Sequence, residues 1–181
     1  MLTVSGMKSA RERNESDMET IKSKIQPEIR TASRGDFADI ARLMQQVHDL
    51  HSHGRPDIYK EATDFYTLQQ FTEDMEDPEL LFLVAVWEGK PVGMCQVKYH
   101  TLKDSGITKE RTRAYVEALC VQENCQNHGI GKQLLQKAEE EGKRRKSSSL
   151  ELTAWEFNEE VLEFYKNYGM KIQRVVLEKE I

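Results

Sequence analysis

The chain has little of what marks a secreted or a membrane protein. Its three cysteines, Cys95, Cys120 and Cys125, are spaced irregularly, which predicts neither a disulfide framework nor a zinc site. No apolar run is long enough to span a bilayer, and the N-terminus has no apolar signal region. Acidic residues near the start also argue against a transit peptide: Glu12, Glu15, Asp17 and Glu19. We therefore expect a protein of the reducing cytoplasm without a membrane partner.

Positive charge is also in deficit. The 26 Lys and Arg residues against 31 Asp and Glu give a net charge of −5, which argues against a nucleic-acid partner. The 181 residues suffice for one domain with one core, and we find no repeats or low-complexity tract. Residues 1–27 are polar and end at Pro27. We therefore predict a polar extension over residues 1–27 and a single domain over residues 28–181.

Hydrophobic periodicity predicts a mixed order of strands and helices. Asp36 is a suitable N-cap for a helix whose apolar residues run from Phe37 to Leu50 at helical spacing. The continuous apolar run from Leu80 to Trp87 predicts a strand buried on both faces. The other predicted strands are Glu28–Ala32, Val92–Tyr99, Ala114–Val121, Leu150–Ala154 and Lys171–Lys179, and the other predicted helices are Leu68–Met75, Lys132–Arg145 and Glu159–Tyr168.

The most informative stretch is the turn from Gln126 to Gly131, between a predicted strand and a predicted helix. Main-chain N–H groups at a helix start lack partners within the helix and can bind an anion. Gly129 and Gly131 would allow the main chain to approach a phosphate closely. The stretch therefore predicts a phosphate-binding loop.

Two common phosphate loops do not fit. A P-loop needs glycine where this chain has Gln126 and serine or threonine where it has Gln133. A dinucleotide-binding fingerprint needs a third glycine where this chain has Leu134. What remains is Gln-x-x-Gly-x-Gly after a strand, which resembles the acyl-CoA pyrophosphate loop of the GCN5-related N-acetyltransferases, the GNAT superfamily.

A second motif strengthens the resemblance. Asn158 is followed seven residues later by Tyr165, within the run Phe164-Tyr165-Lys166-Asn167-Tyr168-Gly169. This is similar to the closing motif of the same superfamily: an Asn, an aromatic-Tyr pair and a helix-ending Gly. The resemblance covers roughly residues 28–181. Val116 to Val121 is also similar to the fourth strand of the polyamine acetyltransferase branch.

The resemblance implies a mixed α/β fold, with a central sheet of about six or seven strands, splayed between the fourth and fifth, and flanking helices. It implies acetyl-CoA as co-substrate, no metal, and direct transfer of the acetyl group to an amine in a ternary complex. Tyr165 would be the general acid near the thioester sulfur, although it could instead pack on the sheet, with Phe164 or Tyr168 as rivals. The residues implied in cofactor binding are Leu119, Cys120 and Val121 by main chain, Gln126, Asn127, His128, Gly129, Ile130, Gly131 and Lys132 at the pyrophosphate, and Asn158 at the pantetheine arm. The side chains of His128 and Lys132 could equally be solvated.

Glu117 is the candidate general base. Strand alternation puts Tyr115, Glu117, Leu119 and Val121 on one face and Val116, Ala118 and Cys120 on the other. A carboxylate among apolar strand residues should have a raised pKa, which suits a base acting through water. A bulge would change its face, and an exposed carboxylate or a partner for substrate charge are the alternatives.

Other reactive residues admit several interpretations. His48, His51 and His53, near Asp49, could bind a metal or face solvent, and His51 or His53 could contact the acceptor. Cys120 could be an acyl-carrying nucleophile, but buried strand cysteines are usually inert. Residues 57–79 carry eight acids against Lys60 as the one base, which describes either a rim that attracts a cationic amine or an ordinary solvated face.

We therefore expect an acetyl-CoA-dependent N-acetyltransferase acting on a primary amine of a small molecule or peptide. A cationic acceptor resembling a polyamine or an aminoglycoside is compatible with the acidic segment. The alternatives are an acyl-CoA-binding sensor without turnover and a transferase of a longer acyl group. Homodimer formation through the last strand or the first helices is also compatible with the sequence.

Overall fold

A computed structural model of the chain describes residues 26–179, which form one mixed sheet flanked by helices. The strands are β1 (Glu28–Thr31), β2 (Leu80–Trp87), β3 (Lys90–Leu102), β4 (Arg111–Val121) and β5 (Ser149–Leu152). The helices are α1 (Phe37–Gly54), α2 (Leu68–Glu76), α3 (Ile130–Arg144) and α4 (Glu159–Tyr168), with 3-10 turns at Arg34–Asp36 and Glu123–Cys125. The mixed α/β fold is confirmed, with five strands in the described residues instead of about six or seven.

The strands lie in the sheet in the order of the chain. Neighbours from β1 to β4 pair antiparallel, and β5 pairs parallel with β4 after the crossover through α3. The central residues of β2, Phe82 to Ala85, are buried, as the continuous apolar run predicted. This topology leaves β5 as one edge of the sheet, beside the candidate site.

Two hydrophobic clusters fill the space on opposite faces of the sheet. On one face, Leu134, Leu135 and Ala138 of α3 pack on β2, β3 and β4, and aromatic residues of α4 extend this cluster. On the other face, residues of α1 and α2 such as Leu43 and Phe71 pack on the same strands. Helices on both faces explain why the central strands are apolar throughout.

The start of α1 is held by a buried ion pair. Asp36 accepts hydrogen bonds from Arg30 at 2.8 and 2.9 Å and from the main-chain N–H of Ser33 at 2.7 Å. The hydrogen bond from Arg30 is the main reason why the pKa of Asp36 falls to about 2. Asp36 therefore fixes the preceding 3-10 turn to β1, rather than capping the first N–H groups of α1 with its side chain.

The last predicted strand is wrong. Residues 171–179 form no strand, and Ile172, Val175, Val176 and Leu177 are 69–90% exposed. Residues with strand propensity form a strand only where a neighbouring strand pairs with them. Residues 171–179 instead contact the rest of the molecule through their side chains. Gln173 Nε2 lies 3.3 Å from Glu151 Oε1 of β5, and Glu178 pairs with Arg55 at 2.9 Å.

The N-terminal extension predicted for residues 1–27 lies almost entirely outside the described residues. Within residues 26–179, no helix combines the length and the apolar character needed to cross a bilayer.

Candidate functional site

A cleft opens where β4 and β5 diverge. The two strands pair only from Arg113 opposite Ser149 to Val116 opposite Leu152. Beyond Val116, β4 keeps its pairing with β3 while the chain after Leu152 turns away. The resulting cleft of about 90 Å³ is lined by β4, the end of α1, residues 152–158 and α4. Its position agrees with the predicted splay between the fourth and fifth strands.

A β-bulge at Glu117 corrects the predicted faces of β4. Gln96 lies opposite Ala118 but Val97 lies opposite Val116, so Glu117 has no partner across the ladder. Val116 consequently packs in the α3 cluster, whereas Ala118 packs in the α1 and α2 cluster. Strict alternation had put these two residues on one face, which is wrong because the extra residue shifts the pleat by one position.

Glu117 lines the cleft but is exposed, so the burial expected for it is absent. Two hydrogen-bonded pairs lie within electrostatic reach of it. The Tyr66 hydroxyl donates to Asp74 at 2.7 Å, and Lys98 donates to Asp77 at 2.9 Å. Burial is the main cause of the raised pKa of Tyr66, and the charges of Asp74 and Glu117 add to it. Glu117 therefore belongs to a polar corner of the cleft, where a carboxylate can meet a cation.

The turn before α3 has the conformation of an anion-binding loop. Asn127 and Gly129 adopt positive φ angles of 62° and 76°. No side chain among residues 26–179 caps α3, so its first main-chain N–H groups lack a side-chain acceptor there. The His128 ring folds back, with Nδ1 2.7 Å from the carbonyl oxygen of Gln126, and Lys132 is exposed. The loop thus offers main-chain N–H groups and the exposed ammonium group of Lys132 to a ligand.

The two glycines of the loop have different surroundings, and Gly129 leaves the space that a phosphate would need. A Cβ on Gly129 would meet no atom within 4 Å, so the surface above this residue is open. A Cβ on Gly131 would lie 3.3 Å from the Phe164 ring and 3.9 Å from Val121. Gly131 therefore joins the loop closely to the end of β4 and to α4. An anion could approach the main chain at Gly129.

The main chain at the end of β4 is only partly available. Cys95, Met94 and Gly93 of β3 lie opposite Leu119, Cys120 and Val121 on one side, and β5 does not reach them on the other. The carbonyl oxygen of Val121 already accepts hydrogen bonds of 3.0 Å from the side chains of both Gln46 and Gln126. Gln126 therefore fixes the loop to the strand, in addition to any contact with a ligand.

The aromatic residues of α4 divide into distinct roles. Tyr165 lines the cleft, and burial raises the pKa of its hydroxyl, which keeps the proton in place. Tyr168 instead donates a hydrogen bond of 2.9 Å to Glu139 of α3, and Phe164 packs over Gly131. Of the three, Tyr165 is the residue whose side chain reaches the cleft.

Asn158 both caps α4 and lines the cleft. Its side-chain oxygen accepts a hydrogen bond of 3.3 Å from the N–H of Val161, which caps α4. The same residue lines the cleft. The cap explains its place in the motif without a ligand, and its position in the wall is compatible with contact to one.

The histidines do not gather around a metal. His48 Nε2 lies 2.9 Å from the carbonyl oxygen of Lys60, and His53 Nδ1 lies 2.6 Å from that of Asp49. His51 stacks on Tyr59, with ring centroids 5.3 Å apart. No group of three or more His, Cys, Asp or Glu side chains in the described part of the chain could hold a metal ion.

Cys120 is buried, and burial raises the pKa of its thiol to about 12. A thiol with so high a pKa is almost entirely protonated at neutral pH, so it is a poor nucleophile. Cys120 has the environment of a small core residue.

The acids of residues 57–79 are partly neutralised. Asp57 pairs with Arg55 at 2.7 Å, Glu76 with Arg34 at 3.0 Å and Asp77 with Lys98 at 2.9 Å. This segment is therefore less negative than its composition suggested.

An aromatic wall beside the end of α1 was not found from sequence. It comprises His51, Tyr59, Trp155 and Phe157. The Arg55 guanidinium lies 4.9 Å from the centroid of the Trp155 ring. A Cβ on Gly54 would collide with the Phe157 ring, so the end of α1 needs glycine for this contact. Trp155 and Phe157 precede the Asn158 of the second motif, but no local pattern links them to α1.

The model of the acetyltransferase (GNAT) family matches residues 44–170 of this chain. The chain belongs to the GNAT family. In solved structures, the BH1408 protein of Bacillus halodurans resembles this GNAT chain with a TM-score of 0.82 at 27% identity, over 85% of this chain and 99% of that one. The matched family residues include both motifs and the whole of β4, so the resemblance inferred from sequence is confirmed.

Less similar structures share the GNAT fold alone. An aminoglycoside acetyltransferase from an uncultured soil metagenomic sample, in complex with sisomicin, has a TM-score of 0.64 at 17% identity over 85% of this chain and 95% of that one. A transcriptional regulator of Bacillus halodurans has a TM-score of 0.65 at 24% identity over 86% and 100%. Since such different proteins share this fold, the fold does not identify the acceptor.

Proposed function

We propose that this GNAT protein transfers an acetyl group from acetyl-CoA directly to a primary amine of a small molecule or peptide. The observation that carries the proposal is the junction at Gly131. There the anion-binding loop meets the open end of β4 and the helix that presents Tyr165. The pyrophosphate of acetyl-CoA would bind the loop, and its pantetheine arm would extend along β4. A small anion would use the loop alone.

In this proposal, the main-chain N–H groups from Gln126 to Lys132 bind the pyrophosphate, and the cleft edge of β4 at Leu119 to Val121 binds the pantetheine arm. Asn158 contacts the same arm. When bound, acetyl-CoA supplies an acetyl group activated as a thioester. The Tyr165 hydroxyl, with a pKa raised by burial, holds a proton that it can donate to the leaving sulfur.

The acceptor is proposed to be a cationic amine. Glu117 provides a negative charge at the polar corner of the cleft, and His51 and Tyr59 provide aromatic surface beside Trp155, whose ring already contacts Arg55. Aromatic faces and carboxylates both favour cations. A polyamine or an aminoglycoside meets this description, and so does the lysine side chain of a peptide.

Calorimetric titration with acetyl-CoA, together with thiol release over a panel of amines, tests the proposal. Micromolar binding and release with cationic amines is the expected result. Binding without release would favour an acyl-CoA sensor, and faster release with propionyl-CoA or succinyl-CoA would favour a longer acyl group. Absence of binding would contradict the assignment of the loop from Gln126 to Gly131.

Three expectations stay predictions: a single transferase domain over residues 28–181, a cytoplasmic location, and pairing into a homodimer. For the last, the exposed apolar side chains between Ile172 and Leu177 are the surface to examine.

A further inference from the structure

His51 differs from the other two histidines of α1 in the hydrogen bonding of its ring. The rings of His48 and His53 each have a nitrogen within hydrogen-bonding distance of a main-chain carbonyl oxygen, whereas no hydrogen bond to the His51 ring occurs within residues 26–179. His51 is also the histidine that lines the cleft. Its ring nitrogens are therefore available to a ligand there.

The His51 ring is held in one orientation. It stacks on Tyr59 at an interplanar angle of 28°, and Tyr59 in turn meets the edge of Trp155 with centroids 6.0 Å apart. Such packing limits rotation of the imidazole and lowers the entropy lost when it forms a hydrogen bond. A preorganised group of this kind suits proton transfer.

The charged and titratable groups near His51 are His48 of α1, Arg55 at the end of α1 and Tyr59 of the following segment, and Glu117 of β4 and Tyr165 of α4 line the same cleft. Burial first, and then the nearby His48, lower the pKa of His51 below its ordinary value of 6.5. The imidazole is consequently neutral at neutral pH, which is the form that accepts a proton.

We propose that His51 is the general base that deprotonates the acceptor amine, while Glu117 holds the ammonium group beside it. The inference rests on the proposed acetyl transfer and assigns the two acceptor-side groups different tasks. Glu117 is exposed in the polar corner, where it serves as a charge partner. His51 has the neutral nitrogen and the fixed ring.

The proton and bond changes balance. The ammonium gives one proton to a ring nitrogen of His51, and the freed lone pair forms a bond to the acyl carbon of the thioester. The carbon–sulfur bond breaks, and the sulfur takes the proton of the Tyr165 hydroxyl. The nitrogen then loses a second proton, which restores Tyr165, and His51 releases its proton to water. The products are an amide, a thiol and one proton.

His51→Gln tests the proposal, with His53→Gln as the matched control at the exposed side of the same helix end. We expect His51→Gln to lower kcat about 100-fold and to remove the acidic limb of the pH profile of kcat/KM. In the wild type this limb should have its midpoint below 6.5, because activity is lost as His51 becomes protonated. Acetyl-CoA affinity should be unchanged, which also shows that the variant is folded. His53→Gln should keep both kcat and the limb.

A second readout does not depend on turnover. In the protein without acetyl-CoA, the NMR signal of the His51 imidazole should titrate with a midpoint below 6.5 and should shift on addition of a reactive amine, whereas that of His53 should not shift. Retention of kcat and of the acidic limb in His51→Gln, with their loss in Glu117→Gln, would overturn the proposal in favour of Glu117. An amine that leaves the His51 signal unchanged would also overturn it. A wild type that binds the amine at His51 but transfers no acetyl group would overturn the proposed function instead.

Discussion

In the proposed function, the cofactor side of the cleft consists mostly of main chain, whereas the acceptor side consists of side chains from separate segments. On the cofactor side, a loop of seven residues, Gln126 to Lys132, and the end of β4 provide the groups. On the acceptor side, His51, Tyr59, Glu117 and Trp155 come from α1, the segment after it, β4 and the segment after β5. A fixed backbone geometry can bind one common ligand, but discrimination among acceptors needs side chains. Ligand binding on the cofactor side should therefore be sensitive to changes in backbone conformation and charge. Binding on the acceptor side should be sensitive to changes in side-chain shape.

The largest effect is expected from Gly129→Glu. The substitution adds a negative charge where phosphate would bind and puts a side chain on a residue with φ of 76°. We expect acetyl-CoA affinity to fall at least about 100-fold, equivalent to roughly 2.7 kcal/mol, in a calorimetric titration.

Gly106→Glu is the matched control, because Gly106 also has a positive φ, 81°, and also faces open space, but it lies in the loop between β3 and β4. Its acetyl-CoA affinity should equal that of the wild type. Equal losses of acetyl-CoA affinity in the two variants would mean that an added charge or backbone strain lowers affinity wherever it is introduced. The loop from Gln126 to Lys132 would then not be the cofactor-binding site.

The second-largest effect is expected from Tyr165, at the boundary between the cofactor side and the acceptor side. Tyr165→Phe removes the hydroxyl proton and should lower turnover about 10- to 1000-fold, while acetyl-CoA affinity stays within about twofold. Single-turnover kinetics and calorimetry on the same preparation would measure both.

Tyr168→Phe provides the comparison within the same helix. It loses the hydrogen bond to Glu139 and should cost about 1 kcal/mol of unfolding free energy without changing turnover. If Tyr165→Phe turned over like the wild type, Tyr165 would be a packing residue and have no part in the chemistry.

The smallest effect is expected at the acceptor wall. Gly54→Ala puts a Cβ into the space of the Phe157 ring and should displace it together with Trp155, which stacks on it with centroids 6.3 Å apart. We expect KM for the amine to rise on the order of tenfold, with acetyl-CoA affinity unchanged.

Gly35→Ala serves as its control, since the nearest atom to a Cβ there is Ser33 Oγ at an ordinary 3.7 Å. A loss of acetyl-CoA affinity in Gly54→Ala would show that the two sides of the cleft are coupled, against the separation described above.

Local features of the chain could be predicted well. The helix with Leu134 and Leu135 turned inward, the buried strand from Leu80 and the loop at Gly129 all depend on neighbouring residues. The bulge at Glu117 could not be located, because it depends on the register between β3 and β4 and leaves no mark on β4 alone. For the same reason the strand predicted for residues 171–179 was wrong, since no strand of the described sheet pairs with this segment.

The sequence by itself determined the family, the mixed α/β fold and the position of the candidate phosphate loop, because these follow from periodicity and from short motifs whose residues are adjacent in the chain. Tertiary structure decided which face each residue of β4 occupies, which tyrosine of α4 reaches the cleft and which histidine of α1 is available there. It also brought Gly54 against Phe157, about 100 residues further along. The physical reason is that contacts across the cleft join segments far apart in the chain, and their energies depend on register, burial and packing that no local pattern contains.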